Sequence, residues 1–369
     1  MKWIVGLVLA ATSVVGHAAV NEVGVEAVVE GLQKNQAVVD KAAYDQMFRN
    51  CTARYNGDVR GQSSNVTLLG ENRVRVRWAA WCAIKRPTVY GVARSTSLVE
   101  VHGLAGDASY TNFKLHAQTA LGEVGTSLRS QFQFADYDND GVDDLFLFSR
   151  QGTGTGKTEL HVLRGPEYKT FLMQTGTALA ETGSDNAWKF LVGDYNVDGR
   201  LDIYAISKSG LSGTVEVHVL DGSAGYQSFL LNTTTATGAT GTSTEVDYGI
   251  GDYNNDGVID LYSIIKNGSS GKTEVHVLDG ASKFQKFIGH HATGMPMTGS
   301  GQAWSFGVGD YNFDGIPDLY VMSKDGIYSQ VHIWNGATAF STALLHTATP
   351  FATDGKSEQH DMLLGRAKR

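Results

Sequence analysis

Proline and cysteine are scarce in this chain of 369 residues, with five of the first and two of the second. Two cysteines cannot build a disulfide-dense scaffold or a four-thiolate zinc site, so the fold must rest on a core of its own. With 42 % hydrophobic residues, the chain has ample material for one. No apolar run reaches the ~18 residues that a membrane span needs. Basic residues are outnumbered, 30 against 38 acidic, for a formal net charge of −8. That balance is wrong for a nucleic-acid binder or a basic membrane-surface protein. Catalytic signatures are missing too: there is no G-x-S-x-G, no H-E-x-x-H, no phosphate-cradling glycine loop and no C-x-x-C pair. No residue is assigned a catalytic role. The acids Glu245 and Asp247 are the loose candidates for a paired-carboxylate site, and they lack partners at matching positions.

Residues 1–18, MKWIVGLVLAATSVVGHA, have the build of a secretory leader. Lys2 precedes an apolar stretch from Trp3 to Val15, and Gly16-His17-Ala18 offers a small-residue cleavage site. The mature chain is therefore expected outside the cytoplasm: secreted, periplasmic or at the cell surface. In that setting Cys51 and Cys82 are expected to join in a disulfide. Over 19–72 the apolar residues Val25, Val28, Val29 and Leu32 fall at helical spacing, and Val39, Ala43 and Met47 follow at four-residue steps. This segment reads as a short helical brace.

Glycine, by contrast, is abundant, with 44 residues, and much of it belongs to a repeat. The loop "GDYNNDGVIDLY" at 251–262 recurs as "ADYDNDGVDDLF" from Ala135, "GDYNVDGRLDIY" from Gly193 and "GDYNFDGIPDLY" from Gly309. Its first acidic residue stands at Asp136, Asp194, Asp252 and Asp310, 58 residues apart each time. Short runs rich in β-branched and aromatic residues repeat in step, among them "DLYSIIK" and "TEVHVL", and they read as strands. Four strands per unit is the size of a propeller blade. Residues 88–106 align without a gap on the last unit, which adds a first blade whose loop is replaced by "KRP". The expected fold is all-β: a five-bladed propeller over 73–349, with blades at about 73–120, 130–176, 187–233, 246–291 and 303–349. Residues 350–369 form a tail that is either loose or supplies a ring-closing inner strand, displacing the strand expected at 73–84.

The loops carry the chemistry. Oxygen ligands at positions 1, 3 and 5, glycine at 6, a backbone carbonyl at 7 and Asp at 9 suit a hard cation such as calcium. The ligand set is Asp136, Asp138, Asp140, Val142 and Asp144 in the first loop and Asp194, Asn196, Asp198, Arg200 and Asp202 in the second. It is Asp252, Asn254, Asp256, Val258 and Asp260 in the third, and Asp310, Asn312, Asp314, Ile316 and Asp318 in the fourth. An EF-hand needs Glu at position 12 and a helix after it, whereas Leu147, Ala205, Ser263 and Val321 stand there and a strand follows. About four calcium ions are expected, and their charge would offset the −8. Affinity should be modest, with Kd about 10⁻⁴ to 10⁻³ M, as in extracellular modules.

In these loops and their phase the chain resembles the FG-GAP (VCBS) repeat family, the calcium-loop blades of integrin α-subunit propellers and of exported bacterial proteins. The resemblance implies that each loop joins the innermost strand of a blade to the second strand. The chain departs from that family in having five blades rather than seven and in lacking the "GAP" triplet.

Three further features stand out. Strand 3 carries His102, His161, His218, His276 and His332, each two residues after Glu100, Glu159, Glu216, Glu274 or Gln330, which reads as a side-chain hydrogen bond repeated between blades rather than as a ring of metal or acid/base sites. Trp188 and Trp304 precede inner strands and read either as core filler or as the candidate ligand-binding residues, by stacking on a sugar. Arg73, Arg75 and Arg77 share one strand face that is either solvated or anion-binding. The functional expectation is a secreted, calcium-stabilised binding or adhesion module for a glycan or protein ligand, with no nucleic acid and no transmembrane segment. The alternatives are an exported carbohydrate-active enzyme and a scaffold subunit of an envelope assembly.

Overall fold

The computed structural model describes residues 22–55, 58–70, 72–83, 85–95, 97–125, 128–353, 355 and 359–366. The leader at 1–18 lies outside the described residues. The chain divides into two compact units, 1–86 with 367–369 and 87–366. No described helix is long and apolar enough to cross a membrane.

Unit 1 is a helix on a three-stranded antiparallel sheet. Its elements are β1 (Glu22–Leu32), α1 (Gln36–Tyr55), β2 (Asp58–Leu68) and β3 (Arg73–Ala83), in sheet order β1-β3-β2. This corrects the helical reading of 22–32. That run satisfies two periods at once, because Val25, Ala27 and Val29 also alternate with Glu26, Val28 and Glu30. β-Branched residues and an eleven-residue pairing with β3 decide for the strand. The alternation then sorts the faces. Val25 and Ala27 are buried in a cluster with Met47 of the helix, while Glu30 takes Arg73 (2.9 Å) and Arg75 (2.7 Å) and Glu26 takes Arg77 (2.9 Å). The arginine stripe is therefore a set of exposed ion pairs. Helix α1 follows the four-residue steps: Val39, Ala43, Met47 and Cys51 are all buried. Cys51 is bonded to Cys82 of β3.

The strand at 73–83 is thus the centre of unit 1's sheet, not the inner strand of a blade, and the boundary lies at 87 rather than 73. Unit 2 opens with β4 (Val89–Arg94), β5 (Val99–Leu104) and β6 (Phe113–Gln118). Then come β7 (Ser130–Ala135), β8 (Asp144–Ser149), β9 (Lys157–Leu163) and β10 (Phe171–Ala180). The next sheet holds β11 (Trp188–Gly193), β12 (Asp202–Ser207), β13 (Thr214–Leu220) and β14 (Phe229–Gly238). It is followed by β15 (Val246–Gly251), β16 (Asp260–Ile265), β17 (Lys272–Leu278) and β18 (Phe287–Pro296). The last complete set is β19 (Trp304–Gly309), β20 (Asp318–Ser323), β21 (Tyr328–Trp334) and β22 (Ala343–Ala352), before a final strand β23 (His360–Arg366).

The last three sets are separate four-stranded antiparallel meanders, as propeller blades are, and the first two run together in one sheet of order β10-β9-β8-β7-β23-β4-β5-β6. The first set is completed from the far end of the sequence, where β23 pairs antiparallel with β4 from His360↔Ala93 to Leu364↔Val89. Beyond that pairing Gly365 and Arg366 lie parallel to Phe134 and Ala135 of β7. The first strands of successive sets are neighbours: β7 with β11, β11 with β15, β15 with β19, and β19 with β23.

Apolar clusters fill the space between successive sheets. Phe146 and Phe148 meet Phe190 and Val192; Tyr204 and Ile206 meet Tyr248 and Ile250; Tyr262 and Ile264 meet Phe306 and Leu319. Another joins the last sheet to the first, with Tyr320 and Met322 against Val89, Leu104 and Met362.

Candidate functional site

The four loops share one internal framework. In the loop between β15 and β16, Asp252 accepts the N–H of Asp256 on Oδ1 (3.1 Å) and of Gly257 on Oδ2 (3.0 Å). Asp256 in turn accepts the N–H of Val258 (2.8 Å). Gly257 has φ +89°, a left-handed turn that a side chain would strain. The equivalent bonds recur on Asp136, Asp194 and Asp310, and the position 7 N–H groups of Val142, Arg200 and Ile316 bond to Asp140, Asp198 and Asp314. Asn196, Asn254 and Asn312 each donate Nδ2 to the position 5 carboxylate.

Position 9 is different. Asp144, Asp202, Asp260 and Asp318 are fully buried. Asp260 accepts the N–H of Tyr253 (2.8 Å) on one oxygen and of Gly280 (2.7 Å) on the other. Gly280 follows β17, so this carboxylate ties the loop to the turn between strands 3 and 4. A Cβ at Gly280 would sit 2.1 Å from the Ile259 carbonyl oxygen, so only glycine fits. Gly165, Gly222 and Gly336 donate in the same way to Asp144, Asp202 and Asp318. Their common position just after strand 3 in each unit is the sequence signal for this role.

Among the described residues one loop gathers three carboxylates tightly: Asp136, Asp138 and Asp144 offer oxygens within 4.8 Å of one another. The other loops have Asn at position 3 in place of Asp138. Arg164 lies 2.7 Å from Asp138 and neutralises part of that cluster.

Residues 252–321 match the family model of the FG-GAP-like repeat. That stretch is an FG-GAP-like repeat. The matched span begins at the first acid of the third loop and runs through the whole of the fourth, into β20. No curated protein matches the chain.

Within the four loops, the donor set is all oxygen and fits a hard cation. The electrostatics fit as well. Burial, with a smaller push from Asp138 and Asp140, raises the Asp144 carboxyl to about 6. Asp202 and Asp260 are likewise raised to about 6, and Asp318 to about 7, with burial the largest cause each time. Crowded, dehydrated carboxylates hold protons until a cation replaces them.

Unit 2 also holds a cavity of about 150 Å³, which Trp188, Trp304, Asp247 and Asp361 border. The two Trp rings pack on their own sheets, Trp188 against His218 (5.7 Å) and Trp304 against His332 (5.9 Å), as parts of the intersheet clusters. Asp247 is bound to Lys189 at 2.7 Å. Burial alone would raise its pKa, but Lys189 and Lys266 hold it below the ordinary carboxylate range. The strand 3 histidines make local contacts. His218 meets Asn232 (2.8 Å), His102 meets His116 (2.8 Å) and His332 meets His346 (2.7 Å), while His161 lies 3.4 Å from Glu159.

Proposed function

We propose that unit 2 is a closed five-bladed β-propeller braced by calcium at its four loops, and that it acts after export as a binding or adhesion module for a glycan or protein ligand. The observation that carries this reading is the shared framework of the loops: four times over, a buried Asp at position 9 and an anchored Asp at position 1 frame a set of oxygen donors. The cyclic succession β7, β11, β15, β19, β23, with an apolar cluster joining the last sheet to the first, supports closure. Calcium would be held by the carboxylates and amides at positions 1, 3, 5 and 9 with the position 7 carbonyl. Its chemistry there is charge neutralisation. The disulfide in unit 1 agrees with an oxidising compartment.

Calcium binding follows as mass action: at ten times its Kd, each occupied loop adds about 1.4 kcal/mol. The effect should depend on pH. A carboxyl held near 6 or 7 in the cation-free fold binds its proton more tightly than in the unfolded chain. The stability it contributes without calcium is present below the unfolded value and is lost as pH rises through 6 to 7. Calcium competes with those protons. The rise in Tm on adding calcium should therefore be several degrees at pH 7.5 and clearly smaller at pH 5.5, read as the difference between calcium and chelator at each pH. A rise of the same size at both, or none at either, would refute calcium occupancy of the loops.

A further inference from the structure

Each strand that follows one of the four loops ends on a base. Arg150, Lys208, Lys266 and Lys324 stand 58 residues apart, directly after β8, β12, β16 and β20, and Arg94 closes β4. All five are buried. Arg94, Lys208, Lys266 and Lys324 border the cavity together with Lys189. Against these five cations the cavity wall sets two carboxylates, Asp247 and Asp361.

Burying a charge is costly unless it finds a partner. One explanation for the ring is structural, with each base tying down the loop that leads into the next sheet. It covers most members. Arg150 donates to the carbonyls of Leu128 (2.9 Å) and Asp185 (2.8 Å), Lys208 to that of Ser243 (2.7 Å) and Lys266 to that of Gly301 (2.8 Å). Arg94 pairs with Asp361 (2.5 Å), and Lys189 is taken by Asp247 (2.7 Å).

It does not cover Lys324. This residue is 4 % exposed and borders the cavity, yet among the described residues its ammonium has no hydrogen-bond or ion-pair partner. Asp361 acts on it from beyond contact distance but is already held by Arg94, so the Lys324 ammonium is left to take a further negative group. Lys208 and Lys266 donate to neutral carbonyls, and Lys266 also lies 5.7 Å from the centre of the Phe306 ring; Asp247 acts on both without touching either, so neither charge is balanced by direct contact with a carboxylate.

We infer that the cavity of unit 2 is a binding site for a small oxyanion, the carboxylate, phosphate or sulfate group of a ligand, held by Lys324 together with Lys208 and Lys266. Ammonium groups suit such a ligand as point charges with several donors each. Burial also lowers the proton affinity of all three lysines, that of Lys208 to about 8, a cost that a bound anion would relieve. This inference goes beyond the binding-module reading and does not need calcium in the loops, which is tested separately.

The test is isothermal titration of the full chain with inorganic phosphate, sulfate and acetate, each against chloride at matched ionic strength. Saturable binding of at least one oxyanion is expected, weakened at least tenfold in Lys324→Met. The one that binds most tightly identifies the group the natural ligand carries. In chloride alone, Lys324→Met should melt at or above the wild-type temperature, because a buried ammonium without a direct partner has been removed. Should that variant fail to fold, Lys208→Gln serves in its place, with binding weakened three- to tenfold. The inference is overturned if no oxyanion binds the wild type better than chloride, or if the folded variant binds as tightly as the wild type.

Discussion

Asp260→Ala is expected to cost at least 2 kcal/mol of stability in chelator, and more in calcium. The carboxylate is fully buried and accepts two backbone N–H groups, one from its own loop and one from Gly280 at the end of strand 3. Removing it strands both donors where water does not reach, and each buried unsatisfied group costs about 1–3 kcal/mol. Loss of the buried negative charge returns part of that in chelator. In calcium the charge is neutralised and nothing is returned, and a ligand is lost as well. Asp256→Ala should behave otherwise. Asp256 is exposed, and water can replace it as acceptor for Val258. Its loss should be under about 1 kcal/mol in chelator and larger in calcium by the binding term. Urea titrations of both variants with calcium and with chelator separate the two roles. An Asp256→Ala loss that ignores calcium, or an Asp260→Ala loss that vanishes in chelator, would contradict this division.

Ending the chain after Gly355 is expected to abolish cooperative folding of unit 2. The deletion removes β23, and with it the pairing partner of β4, the fully buried Met362 and the carboxylate of Asp361 that balances Arg94. Losing a buried Met side chain costs about 2–5 kcal/mol. Leaving Arg94 buried without its partner costs about 3–5 kcal/mol more. Together these approach the 5–15 kcal/mol by which domains are stable, before the backbone bonds to β4 are counted. The truncated protein should lose its sharp thermal transition and aggregate, and a peptide of residues 356–369 added in trans should restore part of the transition. Met362→Asp should act in the same direction. A truncated protein that melts like the full chain would mean that the last strand does not complete the first sheet.

Much of this was legible in the sequence because the chain repeats itself. Loops in fixed phase, strands with alternating burial and the helical face of Val39, Ala43 and Met47 all report local rules that tertiary structure leaves intact. Residues 22–32 were misread because Val25, Val28 and Val29 fit a helix as well as a strand, and only the partner β3 breaks the tie. That partner had been assigned to a blade, so one error sustained the other. The tail posed the converse problem: whether 360–366 or 73–83 belongs with β4 is a long-range choice to which neither segment's own pattern speaks. The basic ring was visible as a 58-residue spacing but was hidden by its setting, since a lysine that ends an apolar strand normally reaches water. The tryptophans stand where expected along the chain; both are half-buried, border the cavity and pack on a strand 3 histidine of their own sheet.

The central claim is that oxygen donors in these loops hold calcium, and counting ions tests it most directly. Equilibrium dialysis of the purified full chain at about 10 mM calcium, pH 7.5, which saturates sites of the extracellular type, should find about four ions bound per chain and one fewer in Asp256→Ala. A count near zero in the folded wild type would contradict the account.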